Sequence, residues 1–139
     1  YLMNHAPAFS LPVTIYVADT DVTGVVYHAN YFHYFERSRS AWLASLGLPL
    51  EALAEQDTIF AIKTATINYI KPLRLGQTVH STACVTQSKA CSLWFHQTLV
   101  DPENSDIIYC KADILVACLD SSMKPKRLLT TLRELAHDH

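Results

Sequence analysis

A chain of 139 residues, half of them hydrophobic and 17% charged, can bury the core of one domain and is too apolar to stay disordered. A formal charge of −2 argues against nucleic acid as the main partner, and no apolar run reaches the roughly 18–20 residues that span a bilayer. No basic-then-apolar leader opens the sequence. Cys84, Cys91, Cys110 and Cys118 show no C-x-x-C spacing and fall in apolar runs. Buried reduced thiols are therefore expected in place of a zinc site, and a reducing cytoplasm suits them.

In chain order, residues 9–18 (FSLPVTIYVA) read as a first strand, with Pro12 pointing to an edge position or a late start. From Tyr31 the period changes. Tyr31, Tyr34/Phe35, Ser38, Trp42 and Leu46 recur at helical spacing, which predicts an amphipathic helix with a broad apolar face. Asn30 is placed as its N-cap, and Gly47 followed by Pro49 as its stop. The stretch PLEALAEQ predicts a short helical turn. Four β-rich runs follow, at 58–73, 78–89, 92–100 and 107–119, joined by KPLRLGQ, SKACS and DPENSD. A last helix is expected to open near Pro125, with Leu128, Leu132 and Leu135 as its stripe. The order β–α–β–β–β–β–α predicts an α+β fold in which one helix packs on a five-stranded sheet. Such a sheet keeps an open edge and an apolar face, so self-association is expected.

Chemistry concentrates in residues 19–39, DTDVTGVVYHANYFHYFERSR. Asp19 and Asp21 stand on the loop before the helix, and His28 at its start, where unpaired N–H groups and a partial positive charge suit a developing oxyanion. A carbonyl held there could be attacked by Asp21, or by a water that Asp21 orients. The same residues also fit plainer roles, the acids as caps and turn formers and His28 as a hydrogen-bonded structural residue. Tyr31, Phe32, Phe35 and Trp42 fit either an acyl pocket or ordinary core. The charges of His33, Glu36, Arg37 and Arg39 are expected on a solvated face or a subunit contact. Lys63, Lys71, Arg74 and Lys89 are the basic residues of the strand region.

This stretch resembles the signature of the hotdog-fold acyl-CoA thioesterases of the 4-hydroxybenzoyl-CoA thioesterase family. It is most similar to the Tol–Pal-associated branch, whose motif runs D-T-D-x-x-G-x-V-Y-H-x-N-Y. Residues 67–77, INYIKPLRLGQ, resemble that family's strand–Pro–Gly connection. The resemblance implies a five-stranded antiparallel sheet wrapped around a long central helix, with a C-terminal helix, over one domain spanning residues 1–139. It implies hydrolysis of acyl-CoA to free acid and coenzyme A without a cofactor or metal. Asp21 matches the catalytic carboxylate, as nucleophile or general base. His28 matches a catalytic histidine, and the backbone N–H of residue 28 matches the group that polarises the carbonyl. Tyr27, Asn30, Tyr31 and Lys89 are the implied substrate contacts, Lys89 facing the coenzyme phosphates. A homodimer or homotetramer is implied, and association with a cell-envelope complex. The chain departs from the pattern at Val17, where relatives often carry a second aromatic after the one at Tyr16, and at Gln77, where an Asp is frequent. QSKACS keeps only Lys89 of a basic cluster. A hotdog dehydratase using His28 with Glu36, and an acyl-CoA-binding protein without chemistry, are the alternative readings.

Overall fold

The computed structural model describes residues 9–134. Its elements are β1 (Phe9–Thr14), α1 (Tyr31–Ser45), α2 (Leu50–Glu55), β2 (Ile59–Tyr69), β3 (Thr78–Ser88), β4 (Ser92–Val100), β5 (Ile108–Leu119) and α3 (Thr130–Arg133). The five strands form one antiparallel sheet in the order β1-β3-β4-β5-β2. The expected architecture is present, with β1 at one edge, where Pro12 needs no ladder partner on its outer side.

Alternation builds the core. Val79, Ser81, Ala83 and Val85 of β3, Leu93, Phe95, Gln97 and Leu99 of β4, and Cys110, Ala112, Ile114, Val116 and Cys118 of β5 are buried on one face. They meet in register, Val85 beside Phe95 and Phe95 beside Ile114. Helix α1 lies on that face through Tyr31, Tyr34, Phe35, Ser38, Arg39, Trp42 and Leu43. Its end is fixed by Gly47 at φ +80°, which lets Leu48 N–H reach the Leu43 carbonyl at 3.0 Å.

Two expectations change. The segment after Pro125 is not helical at first: Lys126 N–H donates to Cys118 O and Leu128 N–H to Ala90 O, so these backbone groups bond to the sheet and its β3–β4 turn. Helix α3 starts only at Thr130 and spans 4 residues, though Leu128 and Leu132 are buried as expected; Leu135 lies outside the described residues. Arg39, expected on a solvated face or subunit contact, is 8% exposed.

The seat of α1 on the sheet is polar at its centre. Gln97, fully buried, donates through Nε2 to Phe35 O (3.0 Å), Ser38 Oγ (2.9 Å) and Thr82 O (3.2 Å), and its Oε1 accepts from Arg39 Nη1 at 2.9 Å. Ser81 Oγ donates to Tyr34 O at 2.8 Å and lies 3.0 Å from Ser38 Oγ. Replacing Gln97 by Leu keeps the bulk, strips Arg39 of its one hydrogen bond among the described residues and takes one donor each from the Phe35 and Thr82 carbonyls. We expect a loss of about 3 kcal/mol, read as a lower urea midpoint at unchanged slope.

Candidate active site

The loop between β1 and α1 is closed by its own backbone. A single turn of 3₁₀ helix at Val17–Asp19 is capped by Asp19, whose Oδ2 accepts from Tyr16 N–H at 2.9 Å. Asp21 N–H then bonds Val25 O at 2.9 Å, and Gly24 N–H bonds Asp21 O at 3.0 Å. This tight turn uses Gly24 at φ +81°, a left-handed conformation that glycine adopts without strain. Val26 N–H reaches Leu73 O at 2.8 Å, tying the loop to the β2–β3 connection. There the Gln77 side chain accepts from Arg74 N–H at 2.7 Å, so the departure from Asp at this position serves the turn.

Asp21 sits exposed at the tip. Its Oδ1 accepts from Thr23 N–H at 2.8 Å and from Thr23 Oγ1 at 2.5 Å. Those hydrogen bonds, the side-chain one foremost, hold its carboxyl below the usual Asp value. Its Oδ2 makes no hydrogen bond among the described residues. The carboxylate is ionised and half engaged.

A second 3₁₀ turn, His28–Asn30, runs into α1. The N–H groups of His28 and Ala29 at its start take no acceptor among the described residues, as first-turn amides do. Asn30 does not cap α1 through its side chain as expected. Its Nδ2 donates to Asp19 O at 2.8 Å, and Tyr27 N–H reaches the same oxygen at 3.0 Å, so one carbonyl ties the acidic turn to the helix start.

Beside this start lies an open cleft of about 300 Å³ lined by Val25, Val26, His28, Tyr31 and Tyr69, with Lys71 at its rim. Tyr69 Oη donates to His28 O at 3.2 Å, and the Tyr31 ring meets Tyr69 edge-on at 5.0 Å between centroids. The His28 ring lies 4.4 Å from that of exposed Tyr27. Burial pushes Tyr31 and Tyr69 up, so both hydroxyls stay protonated donors. Behind them the Tyr34 hydroxyl is buried without a hydrogen-bond partner among the described residues; burial, then the nearby Asp19 charge, hold its pKa well above the ordinary tyrosine value.

The structure thus brings His28 and Tyr31 to one cleft, with Tyr27 packed on His28. Asp21 stands on the adjoining turn, off the cleft wall, and Asn30 is spent on the loop. Lys89 lies elsewhere, in a cleft of about 360 Å³ at the β3–β4 turn that also holds Arg127 and Arg133. Sequence reasoning missed Tyr69, whose signal was a tyrosine closing a strand just before a Lys-Pro turn.

The profile of the thioesterase-like superfamily matches residues 15–133. The chain belongs to that superfamily. It is a hotdog-fold thioesterase. It is 37% identical to the acyl-CoA thioesterase YbgC of Haemophilus influenzae over 119 residues, 84% of this chain and 85% of the relative. It is 36% identical to the acyl-CoA thioester hydrolase YbgC of Escherichia coli O6:H1, over 86% of this chain and 89% of the relative. Among solved structures, the probable thioesterase of Bartonella henselae superposes with TM-score 0.83 at 28% identity, over 88% of this chain and all of that one. The 1,4-dihydroxy-2-naphthoyl-CoA thioesterase of Synechocystis shares the fold, with TM-score 0.80 at 22% identity over 88% and 90% of the two chains.

Carboxyl-carbon NMR titration of this thioesterase should find Asp21 below the ordinary Asp value. In Thr23→Val, which deletes the hydroxyl donor and keeps the amide, its midpoint should move back upward.

Proposed function

We propose that this thioesterase hydrolyses acyl-CoA thioesters at the turn between Asp21 and residue 28. One observation carries the reading: an ionised carboxylate with an unspent oxygen stands on a turn tied, through Asp19 O, to a helix start whose first N–H groups are open. The thioester carbonyl accepts from the residue 28 amide, which stabilises the oxyanion as it forms. Asp21 takes a proton from water while the water oxygen adds to the carbonyl carbon, or adds itself to give an anhydride that water then opens. Either way the C–S bond breaks, the sulfur leaves with a proton, and the products are the free acid and coenzyme A. His28 helps to move that proton or to seat the thioester. The relatives named as acyl-CoA thioesterases support the same substrate class.

The site is completed by a second copy. Strand β2 is an edge of 11 residues, and Ile59, Ile62, Tyr69 and neighbouring Ile70 are exposed along it. At its Tyr69 end it adjoins His28; at its Phe60 end it pairs with Cys118, which bonds the Cys91 carbonyl beside the β3–β4 turn. Antiparallel pairing of two β2 edges would set one copy's Lys89, Arg127 and Arg133 toward the other copy's helix start. That gives the coenzyme phosphates a basic seat, the Lys89 contact being made across subunits. The apolar burial of Cys110 and Cys118 fits a reducing compartment such as the cytoplasm.

The dehydratase reading is weaker here. It needs His28 and an acid together, but Glu36 accepts from Ser40 and lines a different cavity, two helical turns on.

Asp21→Asn should lower thiol release from acyl-CoA by about a hundredfold or more while substrate binding persists. A purified Asp21→Asn protein that turns over at the wild-type rate rejects the assignment; loss of water from 3-hydroxyacyl thioesters without thiol release would favour the dehydratase. Sedimentation should find a dimer at least.

A further inference from the structure

Between α1 and β2 lies a third cavity, of about 100 Å³, walled by Leu43, Phe60, Ile62, Leu93, Phe95 and Val116. Leu50 of α2 and three polar residues of α1, Glu36, Arg39 and Ser40, complete it. The inner part of its apolar wall is core: Leu93 is 1% and Phe95 2% exposed. The odd member is Arg39. Only 8% of it is exposed, yet it makes one hydrogen bond among the described residues, Nη1 to Gln97 Oε1, and has no carboxylate within 4.0 Å among them. A guanidinium carries five N–H donors and stays charged, so most of this one's donors are unspent at the cavity. Exposed Glu36, on the same cavity, attracts it through space without an ion pair, and its carboxylate accepts from Ser40. Among the described residues the Tyr34 hydroxyl is the one sealed side-chain polar atom without a partner, so the spare Arg39 nitrogens open outward, at a cavity where an entering oxygen acceptor would find N–H donors to pair with.

The direction from which that acceptor comes is set by the groove. Phe32, Glu36, Arg39/Ser40 and Leu43 follow one another at helical spacing along the side of α1 toward β2. Strand β2 matches them by turning Phe60 and Ile62 inward, then, after an irregularity in register between Ile62 and Thr64, Ala65 and Ile67. At the other end of both elements stand Tyr31 and Tyr69 of the cleft beside His28. Tyr31 and Arg39 are roughly 12 Å apart along the helix, the reach of a medium-length acyl chain.

We propose that Arg39 is a specificity residue. It reads an oxygen acceptor, hydroxyl or carboxylate, at the far end of an acyl chain lying along the α1–β2 groove, so the preferred substrates are ω-oxygenated medium-chain acyl thioesters. The proposal rests on the hydrolase reading for the position of the thioester, and on the buried guanidinium for the tail.

The test compares lauroyl-CoA with its ω-hydroxy and ω-carboxy analogues, by thiol release from the wild-type protein and by calorimetric binding to Asp21→Asn. The wild type should favour the oxygenated tails about tenfold in kcat/KM, and binding should show the same preference. Arg39→Met should erase it and Arg39→Lys weaken it. Leu50→Trp, at a wall position 39% exposed and away from the β2 edge, should erase it by filling the cavity. Equal turnover and binding of plain and oxygenated tails overturns the role of Arg39, and is also the result expected if a second copy supplies its counter-charge. No thiol release from any of them, with the tenfold binding preference intact, overturns the hydrolase reading and leaves the tail site standing.

Discussion

The position of the helix start depends on the amide of Gln97. An apolar helix on an apolar sheet can slide by a turn at little cost, because hydrophobic contact is non-directional. Gln97 removes that freedom. Its NH₂ group meets a helix carbonyl, a helix hydroxyl and a strand carbonyl, while its oxygen faces Arg39. The strand ladder itself gives way to this arrangement: Thr98 N–H bonds the Thr82 hydroxyl, and the Thr82 carbonyl turns to Gln97. Shifting α1 by one turn would leave these groups unpaired in the core, each at a cost of ~1–3 kcal/mol. The seat therefore buys register more than stability, and register is what a site at a helix end needs.

The acidic turn solves a different problem. It holds Asp21 still without burying it, by short-range bonds: Thr23 to the carboxylate, Val25 and Gly24 across the turn, Tyr27 and Asn30 to Asp19. The lowered pKa that results is the signature of a group kept ionised, which suits a base or nucleophile and excludes a general acid at neutral pH. The same hydrogen bonds also weaken it as a base. Covering the turn with substrate acts in the opposite sense, since losing water penalises the charged form and raises its affinity for a proton. An exposed carboxylate held low in the free protein would thus gain basicity wherever a bound ligand displaced its water.

How much of this the sequence disclosed follows from which forces are periodic. Strands β2 to β5 were legible within a few residues because buried and outward positions alternate, and the end of α1 because Gly47 and Pro49 mark it. The segment from Pro125 was misread because three leucines at helical spacing look alike whether the chain coils or runs extended; sheet carbonyls at Cys118 and Ala90 decided the matter, and they are distant in sequence. Asn30 was misread for the same reason, its acceptor lying eleven positions back. Arg39 carried a local signal that charge overrode: with Phe35 and Leu43 it falls on one stripe, i, i+4, i+8, where a core residue belongs. The local signal at Tyr69, a tyrosine closing a strand, could not place it, since only the fold sets a strand end beside a helix start.

Strand β2 carries two demands at once, and they are linked. Its inward residues wall the groove beside α1, while its outer edge pairs with no strand among the described residues and so offers backbone groups to a partner. The register irregularity between Ile62 and Thr64 reconciles the two by keeping Phe60/Ile62 and Ala65/Ile67 on the same face while twisting the edge. If a second copy pairs there and a ligand fills the groove, both stiffen one element. Whatever the acyl chain gains from an ordered β2, association gains from the chain by the same factor, because coupling free energies are reciprocal. Binding that tightens at higher protein concentration would then be a property of this strand, and would not require any contact between the ligand and the partner.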